Sequence, residues 1–392
     1  MLTRARVLSG LAVLVVSGLG AFFFVVPAAV ERNFNAIHQP PPYAASARAR
    51  ELHAQLLIVD LHADSLLWGR DLLVRGTRGQ TDVPRLIEGN VALQTFAAVT
   101  KTPRGLNIER NDDKSDNIFW LALAKRWPPR TWRSLKERAL HLSSRLHRMA
   151  AQSGGRLVLI KSKSDLSNYL ARRAREGGDK MTAGMLSIEG AHALDGDPAN
   201  VDALFEAGFR MMSHAHFFDN EMGGSAHGIT KGGLTGKGRE MLRRMEARGM
   251  ILDVAHASAQ TIDEVLAIAT RPVVVSHTGV RGTCDNARNL SDEQLKRIAA
   301  RGGLVGIGYW DTATCGHDAR SIARAMRYTA NLVGVGHVAL GSDFDGGVAV
   351  PFDTTGLVLL TDALILEGFD DAEIAQIMGG NALRLLAENL PD

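Results

Sequence analysis

Leu57-Ile58-Val59-Asp60-Leu61-His62-Ala63-Asp64 is the stretch on which the fold turns. A short apolar run ends in a histidine and an acid spaced i, i+2, so both side chains leave the same side of a strand end. Alone, that pair reads equally well as a surface turn. The arrangement recurs downstream, however. Glu189 follows Met185-Leu186-Ser187-Ile188 and precedes Gly190; His256 ends Ile251-Leu252-Asp253-Val254-Ala255; His277 ends Val273-Val274-Val275-Ser276. Singly, each of these is more often a structural residue. Together they offer imidazoles and carboxylates, the ligands of a hydrolytic metal pair. Ligands at the C-terminal ends of successive strands are how a (β/α)8 barrel assembles an active site.

The rest of the chain fits that architecture. Short β-rich runs at 57–61, 91–97, 156–160, 184–188, 209–213, 250–254, 272–276, 304–308 and 337–341 alternate with helical stretches, the pattern of parallel βα units. These are nine candidates for eight barrel positions, and 156–160 is the one to demote, because no plausible ligand follows it. Segments 135–151, 238–248, 291–301 and 321–332 read as amphipathic barrel helices, and 371–386 as a closing helix capped by Asp370 or Asp371. The expected fold class is α/β, a TIM-like barrel over residues 46–392.

Composition bounds the function. The 45% hydrophobic content is ample for a core, and a net charge of +3 with no basic block interleaved with aromatics gives no support to nucleic-acid binding. Residues 232–238 have the glycines and lysine of a phosphate loop but not their spacing, and no His-Glu-x-x-His occurs.

The N-terminus divides into three. Residues 7–29 carry no charge and are long enough to cross a bilayer as a helix. Arg4 and Arg6 precede them, so the positive-inside rule puts 1–6 in the cytoplasm and the barrel outside, in a periplasm. The length favours an uncleaved anchor over a signal peptide cut near Val26-Pro27-Ala28, which would release a secreted enzyme. Residues 30–45, with Pro40, Pro41 and Pro42, read as a stiff spacer lifting the barrel off the membrane. Cys284 and Cys315 suit an exported chain that builds a disulfide; two buried thiols are the alternative.

With these residues in view, the sequence resembles the membrane (renal-type) dipeptidases, zinc hydrolases of the amidohydrolase barrel superfamily. LHAD, SIEG, HAHFFDN followed by GSAHG, LDVAHAS, VVVSHTG, ARN and GSDFDG occur in the family's order, and the likeness runs from about residue 50 to the C-terminus. It implies two Zn²⁺ ions per subunit, one held by His62 and Asp64, the other by His256 and His277, with Glu189 bridging. It also implies that His216, rather than His214, polarises the substrate. Arg288 then binds the substrate's terminal carboxylate, a task suited to a guanidinium fork. Asp343 moves the proton, and Asp345 serves as a supporting loop carboxylate.

The implied reaction is dipeptide hydrolysis by a metal-bridging hydroxide, with C-terminal D-residues among the substrates. Expected partners are dipeptides, the membrane through the N-terminal helix, and a second copy of the chain in a homodimer. Two other readings use the same barrel: an N-acyl-amino-acid hydrolase with different pocket loops, and a membrane-tethered binding protein that has lost catalysis.

Overall fold

The computed structural model describes residues 4–176 and 180–392. Residues 1–3 of the expected cytoplasmic N-terminus lie outside them. Among the described residues nine parallel strands form: β1 (Ile58–Ala63), β2 (Val91–Val99), β3 (Leu157–Leu159), β4 (Thr182–Glu189), β5 (Phe209–Ser213), β6 (Ile251–Asp253), β7 (Val274–Thr278), β8 (Leu304–Ile307) and β9 (Val338–Leu340). Eight of them close a barrel in the order β2-β1-β9-β8-β7-β6-β5-β4, and β4 pairs back onto β2 over Leu93↔Ala183 to Val99↔Glu189.

β3 stays outside this ring. It pairs only with the first residues of β4, Leu157↔Thr182 to Leu159↔Gly184, while β5 takes up the same edge from Leu186 onward. A three-residue strand therefore fills the gap where β4 and β5 diverge. It ends well short of the mouth, which is why no functional side chain follows it.

The barrel strands are buried throughout, as a sheet covered on both faces requires. Val59, Leu61, Met185, Met211, Ile251 and Leu304 belong to one cluster, which Leu385 and Leu386 of the last helix and Leu390 just past it complete. That helix closes the N-terminal end of the barrel. The expected single helix over 371–386 is in fact broken: Asp371–Ala375, capped by Asp370 in a capping box, gives way to a π turn before Asn381–Asn389. Gly379 marks the break. A Cβ there would lie 1.9 Å from the Leu57 carbonyl oxygen, so only glycine lets the turn press against the start of β1.

The N-terminal segment differs from the expected stand-off spacer. Leu8–Phe34 is a helix long and apolar enough to cross a membrane, and only 6% of its most apolar window is buried. Its last turns and the chain after it pack on the barrel. Glu31 is fully buried and ion-paired to Arg70 and Arg78, both at 2.5 Å. His38 N donates to Val350 O at 2.9 Å, Gln39 N to Pro351 O at 2.9 Å, and Tyr43 Oη to Asp353 at 3.2 Å. These groups satisfy the backbone on the barrel surface and hold residues 35–45 down. Farther along, Cys284 and Cys315 form a disulfide.

Candidate active site

β1 ends in His62 and Ala63 with Asp64 next, β4 ends in Glu189, and β7 carries His277; His256 and Asp343 stand just past β6 and β9. All are buried, and their side chains converge at the C-terminal mouth. His62 Nε2 lies 3.4 Å from Asp64 Oδ1, 3.6 Å from Glu189 Oε1 and 3.9 Å from Asp343 Oδ1. His256 Nε2 and His277 Nε2 approach the same Glu189 Oε1 to 3.1 and 3.3 Å. Glu189 Oε2 instead faces His216 Nε2 at 3.4 Å.

The local backbone serves this convergence. Gly190 has φ +92°, and a Cβ on it would fall 2.3 Å from the His192 ring, so the turn after Glu189 needs glycine. His256 and Asp343 have φ near +60°, a conformation that side chains other than glycine adopt rarely and that recurs at functional sites.

Three overlapping sets of ligand atoms result: His62, Glu189 and His277; Glu189, His216 and His256; His62, Asp64 and Asp343. The donor set fits a cation. His62 Nε2, Asp64 Oδ1 and Glu189 Oε2 are buried without a hydrogen-bond partner, an arrangement that costs free energy unless something else satisfies it. Burial, with Asp345 adding for Asp64 and Asp64 adding for Glu189, pushes both carboxyls well above the usual range. Burial likewise pushes the His216, His256 and His277 imidazoles well below theirs. Neutral imidazoles are metal ligands as they stand, and a cation reverses the penalty on the carboxylates.

Arg288 is buried beside this cluster. Its Nη2 donates to His277 O at 2.8 Å and lies 3.3 Å from His256 Nε2, and its guanidinium sits 5.5 Å from the Trp310 ring centre. Burial lowers its pKa to about 10, which leaves it charged at neutral pH. His214 is also buried but falls in none of the ligand sets, whereas His216 does. His227 packs against His256, ring centres 5.1 Å apart, with its Nδ1 2.6 Å from Ile108 O.

Two acids escaped the sequence reading. Asp60 accepts from Ser342 N at 2.8 Å, Ser342 Oγ at 2.5 Å and Gln94 Nε2 at 2.8 Å, tying β1 to β2 and β9 beneath the site. Asp253 accepts from Ala255 N at 2.9 Å, Ser276 N at 3.0 Å and Ser276 Oγ at 2.5 Å, doing the same for β6 and β7. Their signal was present: each is an acid inside an apolar strand, where burial demands partners. Asp345 is a hub of another kind, accepting from Ser65 Oγ at 2.6 Å, Gln80 N at 2.6 Å and Arg70.

A family model described as membrane dipeptidase (peptidase family M19) matches residues 46–390. The chain belongs to the membrane dipeptidase family. As a member it is a metallo-dipeptidase, a hydrolase of peptide bonds. An uncharacterized protein in the pqqA 5′ region of Klebsiella pneumoniae is 32% identical over 257 residues, 62% of this dipeptidase and 92% of the relative. Dipeptidase aclJ of Aspergillus oryzae is 27% identical over 321 residues, 79% of this chain and 70% of the relative. Among solved structures, a Rhodobacter sphaeroides metallo peptidase liganded with a phosphinate mimic of L-Ala-D-Ala superposes with a TM-score of 0.69 at 22% identity. It covers 86% of this dipeptidase and 99% of that chain.

Proposed function

We propose that this dipeptidase works with two zinc ions at the barrel mouth, cleaving dipeptides that include a C-terminal D-residue, from a membrane tether with the barrel in the periplasm. The observation that carries the metal assignment is the convergence of four imidazole Nε2 atoms on Glu189, with the Asp64 and Asp343 carboxylates facing one of them, His62. His62 and Asp64 would hold one ion and His256 and His277 the other, with Glu189 available to both. When bound, the ions supply Lewis acidity, polarising the scissile carbonyl and making water a competent nucleophile at neutral pH.

The chain's own residues do the rest. Arg288 fixes the free carboxylate of the substrate, which limits the site to short peptides. His216, kept neutral by burial, donates its ring N–H to the carbonyl oxygen as negative charge develops there. Asp343, whose pKa burial raises to about 7, takes the proton of the attacking water and delivers it to the leaving amine. An acyl-amino-acid hydrolase would hold the same free carboxylate, so competition between dipeptides and acyl amino acids separates the two readings. Support for the D-residue comes from the neighbour solved with an L-Ala-D-Ala mimic.

The test is turnover of Ala-D-Ala by purified full-length protein before and after exhaustive chelation, with Zn²⁺ add-back. Activity should vanish and return with about two zinc equivalents per chain. Full activity in metal-free protein defeats the reading.

A further inference from the structure

We propose that the inner turns of the N-terminal apolar helix form one wall of the substrate cavity and select dipeptides with a large apolar N-terminal residue, entering at the membrane surface. This rests on the dipeptidase reading above, with the substrate carboxylate at Arg288.

A cavity of about 440 Å³ has Asp64, Glu189, His216, His256 and Asp343 in its floor, and Phe22, Pro27 and Val30 of the helix in its wall. The wall continues through Trp68 after β1 and Ile118 and Trp120 after β2. In the ring of eight strands, β2 stands opposite β7, whose following loop carries Arg288. A dipeptide with its carboxylate at Arg288 and its amide over Glu189 therefore directs its N-terminal side chain toward this apolar wall.

The helix is built into the barrel. Besides the buried Glu31 pairs, Arg126 lies over Phe23 and Phe24, 5.4 and 4.8 Å from the ring centres. Arg70 links Glu31 to Asp345, two residues from Asp343. Crossing a bilayer core takes about 20 helical residues. Counted from residue 7, the first without charge in the apolar run, these reach residue 26, so Phe22 lies within the span and Val30 just past it. The cavity wall thus coincides with the bilayer edge. Trp120 and Leu106, which line the mouth, are 50% and 45% exposed, and tryptophan favours that interface.

The experiment uses full-length enzyme in lipid nanodiscs and compares kcat/KM for Phe-D-Ala and Gly-D-Ala. Wild type should favour Phe-D-Ala. Val30→Trp, which fills the cavity, and Phe22→Ala, which removes the wall, should each lower the Phe-D-Ala to Gly-D-Ala ratio about tenfold, a usual effect for a reshaped apolar pocket. Val16→Trp, on the exposed outer stretch, should leave the ratio as it is. An unchanged ratio in both wall variants overturns the inference, as does an intact mass showing the chain cut before Glu31. No turnover of either dipeptide by metal-loaded wild type overturns the dipeptidase reading and this inference with it.

Discussion

The Nε2 atoms of His256 and His277 lie 2.9 Å apart, and both face Glu189 Oε1. A neutral imidazole carries one N–H, so which nitrogen holds it decides whether this pair can bind a cation. For His277 the neighbours decide. Ser276 Oγ donates to Asp253 Oδ2 at 2.5 Å, and its lone pair then accepts from His277 Nδ1 at 3.0 Å. That leaves His277 Nε2 with a lone pair aimed into the site.

Ser276→Ala should therefore weaken metal binding by about 10–100-fold, the usual effect of losing a group that orients a ligand histidine. Competition with a chromophoric chelator measures it, with circular dichroism as the check on folding. Unaltered affinity in a folded variant removes Ser276 from this role.

Arg288→Met separates carboxylate recognition from catalysis. Truncating one member of a buried charge pair costs about 2–5 kcal/mol, so kcat/KM on a free dipeptide should fall roughly 30-fold or more. The C-terminally amidated dipeptide has no carboxylate to lose, and its slower turnover should scarcely change. Equal losses on both substrates contradict the assignment.

Much of the barrel and its mouth is legible in the sequence. Strand ends are legible because an apolar run stops at a histidine or an acid; none directly follows 156–160, and it is the strand outside the barrel. What stayed hidden depended on partners distant in sequence. The prolines at 40–42 suggested a free spacer, yet Val350, Pro351 and Asp353 supply its hydrogen bonds from some 310 residues away. Glu31 lies inside the stretch read as spacer, and only the fold brings Arg70 and Arg78 to it. The break at Gly379 is set by the Leu57 carbonyl, which no helical periodicity can reveal.

Glu31→Gln should loosen the junction between helix and barrel. Breaking a buried ion pair costs about 3–5 kcal/mol, and the lower end applies because Arg70 keeps Asp345. The expected signs are a lower unfolding temperature and faster proteolysis within residues 35–45 in detergent-solubilised protein. A cleavage rate equal to that of wild type would show that these pairs do not hold the junction.

His53 gives a pH dependence remote from the candidate active site. Its Nδ1 lies 2.8 Å from Thr361 Oγ1 and its Nε2 3.2 Å from Gly89 O, contacts that a neutral ring with its proton on Nε2 can make. Burial lowers its pKa from 6.5 to about 4. Between those values the unfolded chain binds a proton that the fold refuses. The stability involved is complete above pH 6.5 and drains away as the pH falls toward 4, at no more than about 1.4 kcal/mol per pH unit for one proton. Glutamine can keep both hydrogen bonds but does not titrate. In chelator-treated protein, urea unfolding of wild type and His53→Gln should therefore differ by a constant amount above pH 6.5. Below it, wild type should lose stability faster than the variant, and parallel curves down to pH 4.5 would rule His53 out as a source of acid sensitivity.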